Sequence, residues 1–266
     1  MQRVTSRQNP RLREAARLIA SARDRRKAAR CVLEGEHLIG VYQDRYGAPE
    51  TLIVSDQAIL REATRAIAAR NPAHTLIVPA ALFAELAVLP AGVGIVAVVP
   101  TPRPAATVAA DFCLLLDDVQ DPGNVGSMLR SAAAAGVVQV VMSKHCAFAW
   151  SPKVLRAGQG AHFLLEIHED VDLPAWAAAY REHGEMVATV AAEGESLYST
   201  ALTGRLALVI GNEGAGVSAA LLEQTTKRIT IPMPGGMESL NAAAAAAVCL
   251  FECVRQRTSS GLTFTI

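Results

Sequence analysis

The sequence predicts an α/β protein in two parts: a small α/β domain over residues 1–99 and a larger one over 112–266 built on a mostly parallel sheet. Three observations carry that expectation. Short apolar runs such as 113–117 and 206–210 alternate with segments of helical spacing, as when helices cover both faces of a parallel sheet. The stretch Pro100-Thr101-Pro102-Arg103-Pro104 stiffens the chain between two such alternations, and residues 100–111 read as the linker. Polar turns follow three of the later strands, where ligands bind in open parallel sheets.

In chain order, residues 9–29 read as a helix, because Leu12, Ala16, Ile19 and Ala20 recur at helical spacing among arginines. Strands are expected at 30–34, 52–54, 76–78 and 95–99, separated by helices at 36–46, 57–70 and 80–87. From Phe112 the pattern resets to longer units. Strands are expected at 113–117, 137–142, 164–166, 186–191, 206–210 and 228–231, and helices at 125–135, 152–158, 173–183, 218–224 and 239–257. The last helix holds six consecutive alanines, 242–247, which favour helix and let another backbone approach closely.

Composition narrows the class. Half of the 266 residues are apolar and few are aromatic, which suits an aliphatic α/β core and excludes a disordered chain. No apolar stretch reaches the roughly 18 residues of a membrane span, and the basic N-terminus has no apolar signal core. The five cysteines, Cys31, Cys113, Cys146, Cys249 and Cys253, are scattered and odd in number, which reads as reduced residues of a cytoplasmic protein. Cys249 and Cys253 could share a helix face, but no second ligand pair follows and no metal is expected. Net charge is zero, yet residues 1–30 carry nine Arg and one Lys against Glu14 and Asp24, a balance of +8. Such an arm is either a footprint for nucleic-acid phosphate or a solvated amphipathic helix.

Three motifs carry the chemistry. In the first, Asp121-Pro122-Gly123-Asn124 makes a turn in which Asn124 is a natural helix N-cap. Arg130 then stands on a helix of Gly, Ser, Met, Leu and Ala; if buried it needs a partner, a protein carboxylate or an RNA phosphate. The second, Gly211-Asn212-Glu213-Gly214-Ala215-Gly216, has the wrong glycine spacing for a dinucleotide fingerprint and finds Ile231, not an acid, some twenty residues on. Its Glu213 could accept from a ribose hydroxyl, an amine or an arginine. In the third, Ser239-Leu240-Asn241 follows a turn holding Pro232, Pro234, Gly235 and Gly236. Ser239 could cap the helix, or Ser239 and Asn241 could bracket a substrate hydroxyl beside helical N–H groups suited to an anion.

Taken together, residues 114–254 resemble the SpoU-type RNA 2′-O-ribose methyltransferases of the SPOUT class, and 151–161 is similar to that family's connector after the first motif. Asp121 stands where many members have Asn. Residues Thr5 to Pro10 and Val32 to Leu38 resemble the substrate-binding domain of the ribosomal-RNA members, itself similar to an RNA-binding ribosomal protein.

The resemblance implies methyl transfer from S-adenosylmethionine to a ribose 2′-hydroxyl in structured RNA, with ribosomal RNA preferred over transfer RNA. It also implies a deep C-terminal trefoil knot and a homodimer through the 112–266 domain. Cofactor contacts carry over to Thr189, Val190, Gly211, Ile231 and Leu240, and the polar catalytic set to Asn124, Arg130, Glu213, Ser239 and Asn241. RNA contacts are expected from Arg7, Arg25, Arg26, Lys27, Lys153 and Arg156. Since guanidinium stays protonated in proteins, Arg130 is expected to grip the neighbouring phosphate rather than abstract a proton. Two other classes stay open: a non-catalytic RNA-binding protein on the same fold, and an enzyme methylating a base nitrogen.

Overall fold

A computed structural model of the chain describes residues 1–86, 93–104 and 110–259. It divides into two compact units, the first comprising residues 1–102 and 150–163, the second 103–149 and 164–266. Residues 105–109 of the expected linker lie outside the described residues.

The first unit begins with β1 (Gln2–Arg3), α1 (Pro10–Ala20), α2 (Ala22–Ala28), β2 (Arg30–Glu34), α3 (Glu36–Tyr46) and β3 (Thr51–Ser55). It continues through α4 (Glu62–Arg70), β4 (Thr75–Val78), α5 (Ala80–Ala84) and β5 (Ile95–Pro100). Its sheet runs β1-β4-β3-β5-β2, with β5 antiparallel to both neighbours and the other pairs parallel. Leu12 and Leu18 of α1 pack on Val32, Ile53, Leu76 and Val96 to make its core.

Residues 9–29 form two helices, not one. Ser21 takes an extended conformation, its N–H donating to Arg17 O and its hydroxyl accepting from Asp24 N–H at 3.1 Å. Arg25 then folds back, its Nη1 donating to Leu18 O at 2.5 Å and Ile19 O at 2.9 Å. A periodicity of apolar residues is blind to a break in which a serine hydroxyl and an arginine replace the lost backbone partners. In the same way 57–70 is a short 3₁₀ turn, Ala58–Leu60, and then α4, separated by the extended Arg61. α5 ends at Ala84; Ala87, included in the expected helix, lies outside the described residues.

The second unit opens with β6 (Phe112–Leu116), α6 (Pro122–Ala134) and β7 (Gln139–Met142). The chain then returns to the first unit for α7 (Pro152–Gly158) and a 3₁₀ turn, Ala161–Phe163. Sequence had assigned this segment to the 112–266 domain. It joins the first unit because α7 packs on β2 and Phe163 meets Tyr42 and Tyr46 edge-on, with ring centroids 5.5 and 5.9 Å apart. Thereafter come β8 (Glu166–His168), α8 (Leu173–Tyr180), β9 (Glu185–Thr189), β10 (Glu195–Ser196) and β11 (Leu206–Ile210), then α9 (Ala219–Leu222), β12 (Lys227–Thr230) and α10 (Ala242–Ser259).

These seven strands are all parallel, in the order β10-β12-β9-β11-β6-β7-β8. The central strands β6 and β11 are buried along their whole length, which accounts for their unbroken apolar character. None of the described helices is long and apolar enough to cross a membrane.

Candidate active site

Parallel strands end on the same edge of their sheet. β6 and β11 lie side by side at its centre, yet the chain leaves β6 for β7 on one side and β11 for β12 on the other. A crevice opens where such connections diverge. Here it is a cleft of ≈ 570 Å³ lined by Thr189 and Val190 past β9, Gly211 past β11, Ile231 past β12, and Leu240 before α10. All five residues expected to contact a cofactor therefore face one cavity.

The floor depends on Gly211. A Cβ there would fall 2.2 Å from the carbonyl carbon of Gly216 and 2.3 Å from Val217 N, so no other residue fits. The close approach exists because Asn212 and Gly216 exchange backbone hydrogen bonds of 2.9 and 3.0 Å. Asn212 closes this hairpin with its side chain. Its Oδ1 accepts from the N–H groups of Gly214 and Ala215, and its Nδ2 donates to Asp118 O at 2.8 Å.

The N-cap of α6 is Asp121, whose Oδ1 accepts from Asn124 N–H at 2.8 Å, not Asn124 as the sequence suggested. The shift matters. With the capping done by Asp121 and Pro122 at the first helical position, the Asn124 side chain is free to reach outward. Its Nδ2 donates to Glu213 Oε1 at 2.8 Å, and its Oδ1 accepts from Asn241 Nδ2 at 3.0 Å. One amide thus ties the first motif to both others.

Glu213 also accepts from the backbone N–H groups of Gln120 (3.4 Å) and Asp121 (3.3 Å). Burial pushes its carboxyl upward, but hydrogen bonds from Asn124 and from backbone N–H groups outweigh that and leave it below the ordinary glutamate value. Its partners are amides, where sequence had proposed a hydroxyl, an amine or an arginine.

Asn241, not Ser239, caps α10. Its Oδ1 accepts from Ala243 and Ala244 N–H at 2.9 and 3.2 Å, so the helix runs 242–259 instead of 239–257. Ser239 is exposed and lines the cleft, its hydroxyl making no hydrogen bond among the described residues. Arg130 is exposed, with no protein partner among the described residues, which corrects the sequence argument from burial. It lies six residues along α6 from Asn124, about 9 Å down the axis and about 120° around it.

The six residues expected to touch RNA all fall in the first unit. Arg26, Lys27, Lys153 and Arg156 are exposed, the last two one turn apart on α7. Arg7 is exposed and ion-paired with Glu85. Arg25 does not fit the expectation, because it is 5% exposed and its guanidinium is spent on the carbonyls that end α1. Lone Arg residues in a basic run cannot be told apart by sequence when one of them serves a neighbouring helix end.

All five cysteines are free thiols; burial pushes Cys31, Cys113, Cys249 and Cys253 up to about 12. No group of metal-ligating side chains occurs among the described residues.

The model of the SpoU rRNA Methylase family matches residues 111–251. The 23S rRNA (guanosine(2553)-2'-O)-methyltransferase RlmP of Bacillus subtilis is 32% identical, over 94% of this chain and 98% of that protein. The 23S rRNA (guanosine-2'-O-)-methyltransferase RlmB of Escherichia coli K12 is 37% identical over 58% of this chain and 63% of its own length. Among solved structures, the SpoU methyltransferase AviRb of Streptomyces viridochromogenes in complex with AdoMet superposes with a TM-score of 0.81. It is 29% identical, and the match covers 94% of this chain and all of that one.

Proposed function

The chain belongs to the SpoU rRNA methylase family, and from that premise we propose that it methylates the 2′-hydroxyl of one ribose in ribosomal RNA, using S-adenosylmethionine. The observation that carries the proposal is the Glu213–Asn124–Asn241 bridge, which joins three motifs separated by 89 and 28 residues beside one cleft that Glu213 itself lines. Ribosomal RNA is favoured over transfer RNA by the printed activities of two relatives, one matching most of the chain and one its catalytic half.

The cleft suits the cofactor. Its volume is that of a small-molecule site, and Gly211 offers backbone with no side chain in front of it. When bound, S-adenosylmethionine supplies a methyl group made transferable by its sulfonium charge. Thr189, Val190, Gly211, Ile231 and Leu240 would hold it. Everything else falls to the protein's polar groups. Ser239 and the Asn124–Asn241 amides orient the ribose hydroxyl, the alignment that an in-line transfer demands. Arg130, exposed and without a partner among the described residues, takes the adjacent phosphate in its planar fork. Glu213, held below its usual range by three donors, is a poor base and acts as the post on which Asn124 is fixed. The proton therefore leaves through the substrate phosphate or water.

Arg7, Arg26, Lys27, Lys153 and Arg156 of the first unit would contribute RNA affinity through phosphate contacts. The protein is expected to act as a homodimer in the cytoplasm, with the trefoil knot of its family. Supporting the dimer, Phe251 of α10 is 49% exposed; Val248 and Val254 are half-buried, whereas Leu250 is consumed in the unit's own core. The test is direct. Incubated with ribosomal RNA and methyl-labelled cofactor, the protein should leave label on ribose after the bases are removed. Label lost with the bases, or none incorporated, overturns the proposal.

A further inference from the structure

Asp118, one residue past the Asp117 that follows β6, holds φ at +56°, a left-handed conformation that non-glycine residues rarely adopt. The Ser143 side chain grips it directly. The Ser143 hydroxyl, just past β7, accepts from Asp118 N–H at 2.8 Å and donates to Asp118 Oδ1 at 2.5 Å, gripping the residue at two points. Ser143 is itself fixed by its N–H to Leu116 O at 3.0 Å, and Ala147 N–H donates to Val119 O at 2.9 Å, so the two loops are sewn together.

The left-handed turn has a visible consequence. It presents Asp118 O to Asn212 Nδ2 at 2.8 Å. Asn212 in turn shapes the hairpin that carries Glu213, and Glu213 holds Asn124. The motif residues thus stand at the end of a chain of contacts that starts at Ser143, which belongs to none of the motifs. Strain held by a side-chain clamp beside a polar array is a recognised sign of preorganisation.

We propose that Ser143 and Asp118 are a positioning pair: the serine clamps Asp118 left-handed so that its carbonyl sets Asn212, and through it Glu213 and Asn124, in register for methyl transfer. This rests on the functional reading above. Neither residue lines the cleft. Asp118 could be glycine without strain, in which case the clamp would be unnecessary, and that makes the proposal separable from simple loop packing.

The experiment compares S143A, D118G and the double variant D118G/S143A in the full chain, with two readouts. In single-turnover methyl transfer to ribosomal RNA, S143A should be slower by about tenfold. Affinity for S-adenosylhomocysteine should fall too, but by less than the rate, because the loosened hairpin from Asn212 to Gly216 lines the cleft. D118G should be slowed less than S143A, and adding S143A to it should cost less than in the wild type, since glycine reaches the turn without strain. Independently of activity, amide hydrogen exchange at Gly214 and Ala215 should accelerate in S143A and return toward wild type in the double variant. A wild-type rate in S143A, or a slowing by S143A as large in D118G as in the wild type, overturns the positioning role. If the wild-type protein transfers no methyl to RNA, the functional reading falls, and the exchange rates still decide whether Ser143 holds the hairpin through Asp118.

Discussion

Replacing Asn124 by Ala separates architecture from chemistry at this site. The variant loses the donor to Glu213 at 2.8 Å and the acceptor for Asn241 at 3.0 Å. Both partners are exposed, so water can replace the amide. The charge-assisted bond, worth about 1.5–3 kcal/mol when sheltered, then contributes about 1 kcal/mol or less, and the neutral one about half that. For a chain of this size the total lowers Tm by only about 2–6 °C. Methyl transfer should fall about a hundredfold, because the array loses its fixed geometry.

The pH dependence supplies a second check. Glu213 has a depressed folded value, so its stabilisation is present above the unfolded carboxyl range and is lost as pH falls through that folded value. Removing Asn124 lets the folded value rise, and the gap between wild type and variant should be widest near neutrality and shrink in acid. Asn124→Asp should behave more severely. It sets two carboxylates together, raises the value of one of them, and is least stable at neutral pH, recovering as one protonates. Thermal melts from neutral pH to about pH 4, with calorimetry of S-adenosylhomocysteine binding, measure all of this. A much larger fall in Tm accompanied by loss of cofactor binding, or retained activity in the Ala variant, would refute the reasoning.

Three further outcomes are expected. Arg130→Ala should melt within about 0.5 kcal/mol of wild type and bind cofactor while losing methyl transfer, and Arg130→Lys should not restore it; a fully active Ala variant removes Arg130 from the mechanism. Arg26→Ala with Lys27→Ala should lower the log–log salt slope of RNA binding by up to about two without changing Tm, whereas Arg25→Ala strips two carbonyls of their donor and should cost about 2–4 kcal/mol of stability. A flat salt comparison, or an unchanged melt for Arg25→Ala, would contradict the division of this basic run into surface and structural members. Sedimentation of the full chain at micromolar concentration should give a dimer that Phe251→Glu dissociates; a monomeric wild type excludes the dimer.

Much of the second unit was legible because buried parallel strands write themselves as unbroken apolar runs, and 206–210 was read to the residue. The cleft was legible too, since strand-end glycines and polar residues have few other reasons to stand together. Sequence misjudged the division of labour between near neighbours. Asp121 and Asn124 can both cap a helix, as can Ser239 and Asn241, and only the entry angle of the chain decides which does. Arg25 differs from Arg26 only in which side of a short helix it occupies, and that helix exists only because the chain breaks at Ser21. Ser143 carries no signal at all: its role depends on a left-handed residue 25 positions away.

The return of residues 150–163 to the first unit bears on synthesis. Translation releases residues 1–102 first, but the aromatic faces of Tyr42 and Tyr46 wait for Phe163, about 60 residues later. At roughly 5–20 residues per second that is a delay of about 3–12 seconds, during which the nascent unit presents uncovered apolar surface to the ribosome exit and to any holdase nearby. The two units cannot mature strictly one after the other, because the first is completed only after the second has begun.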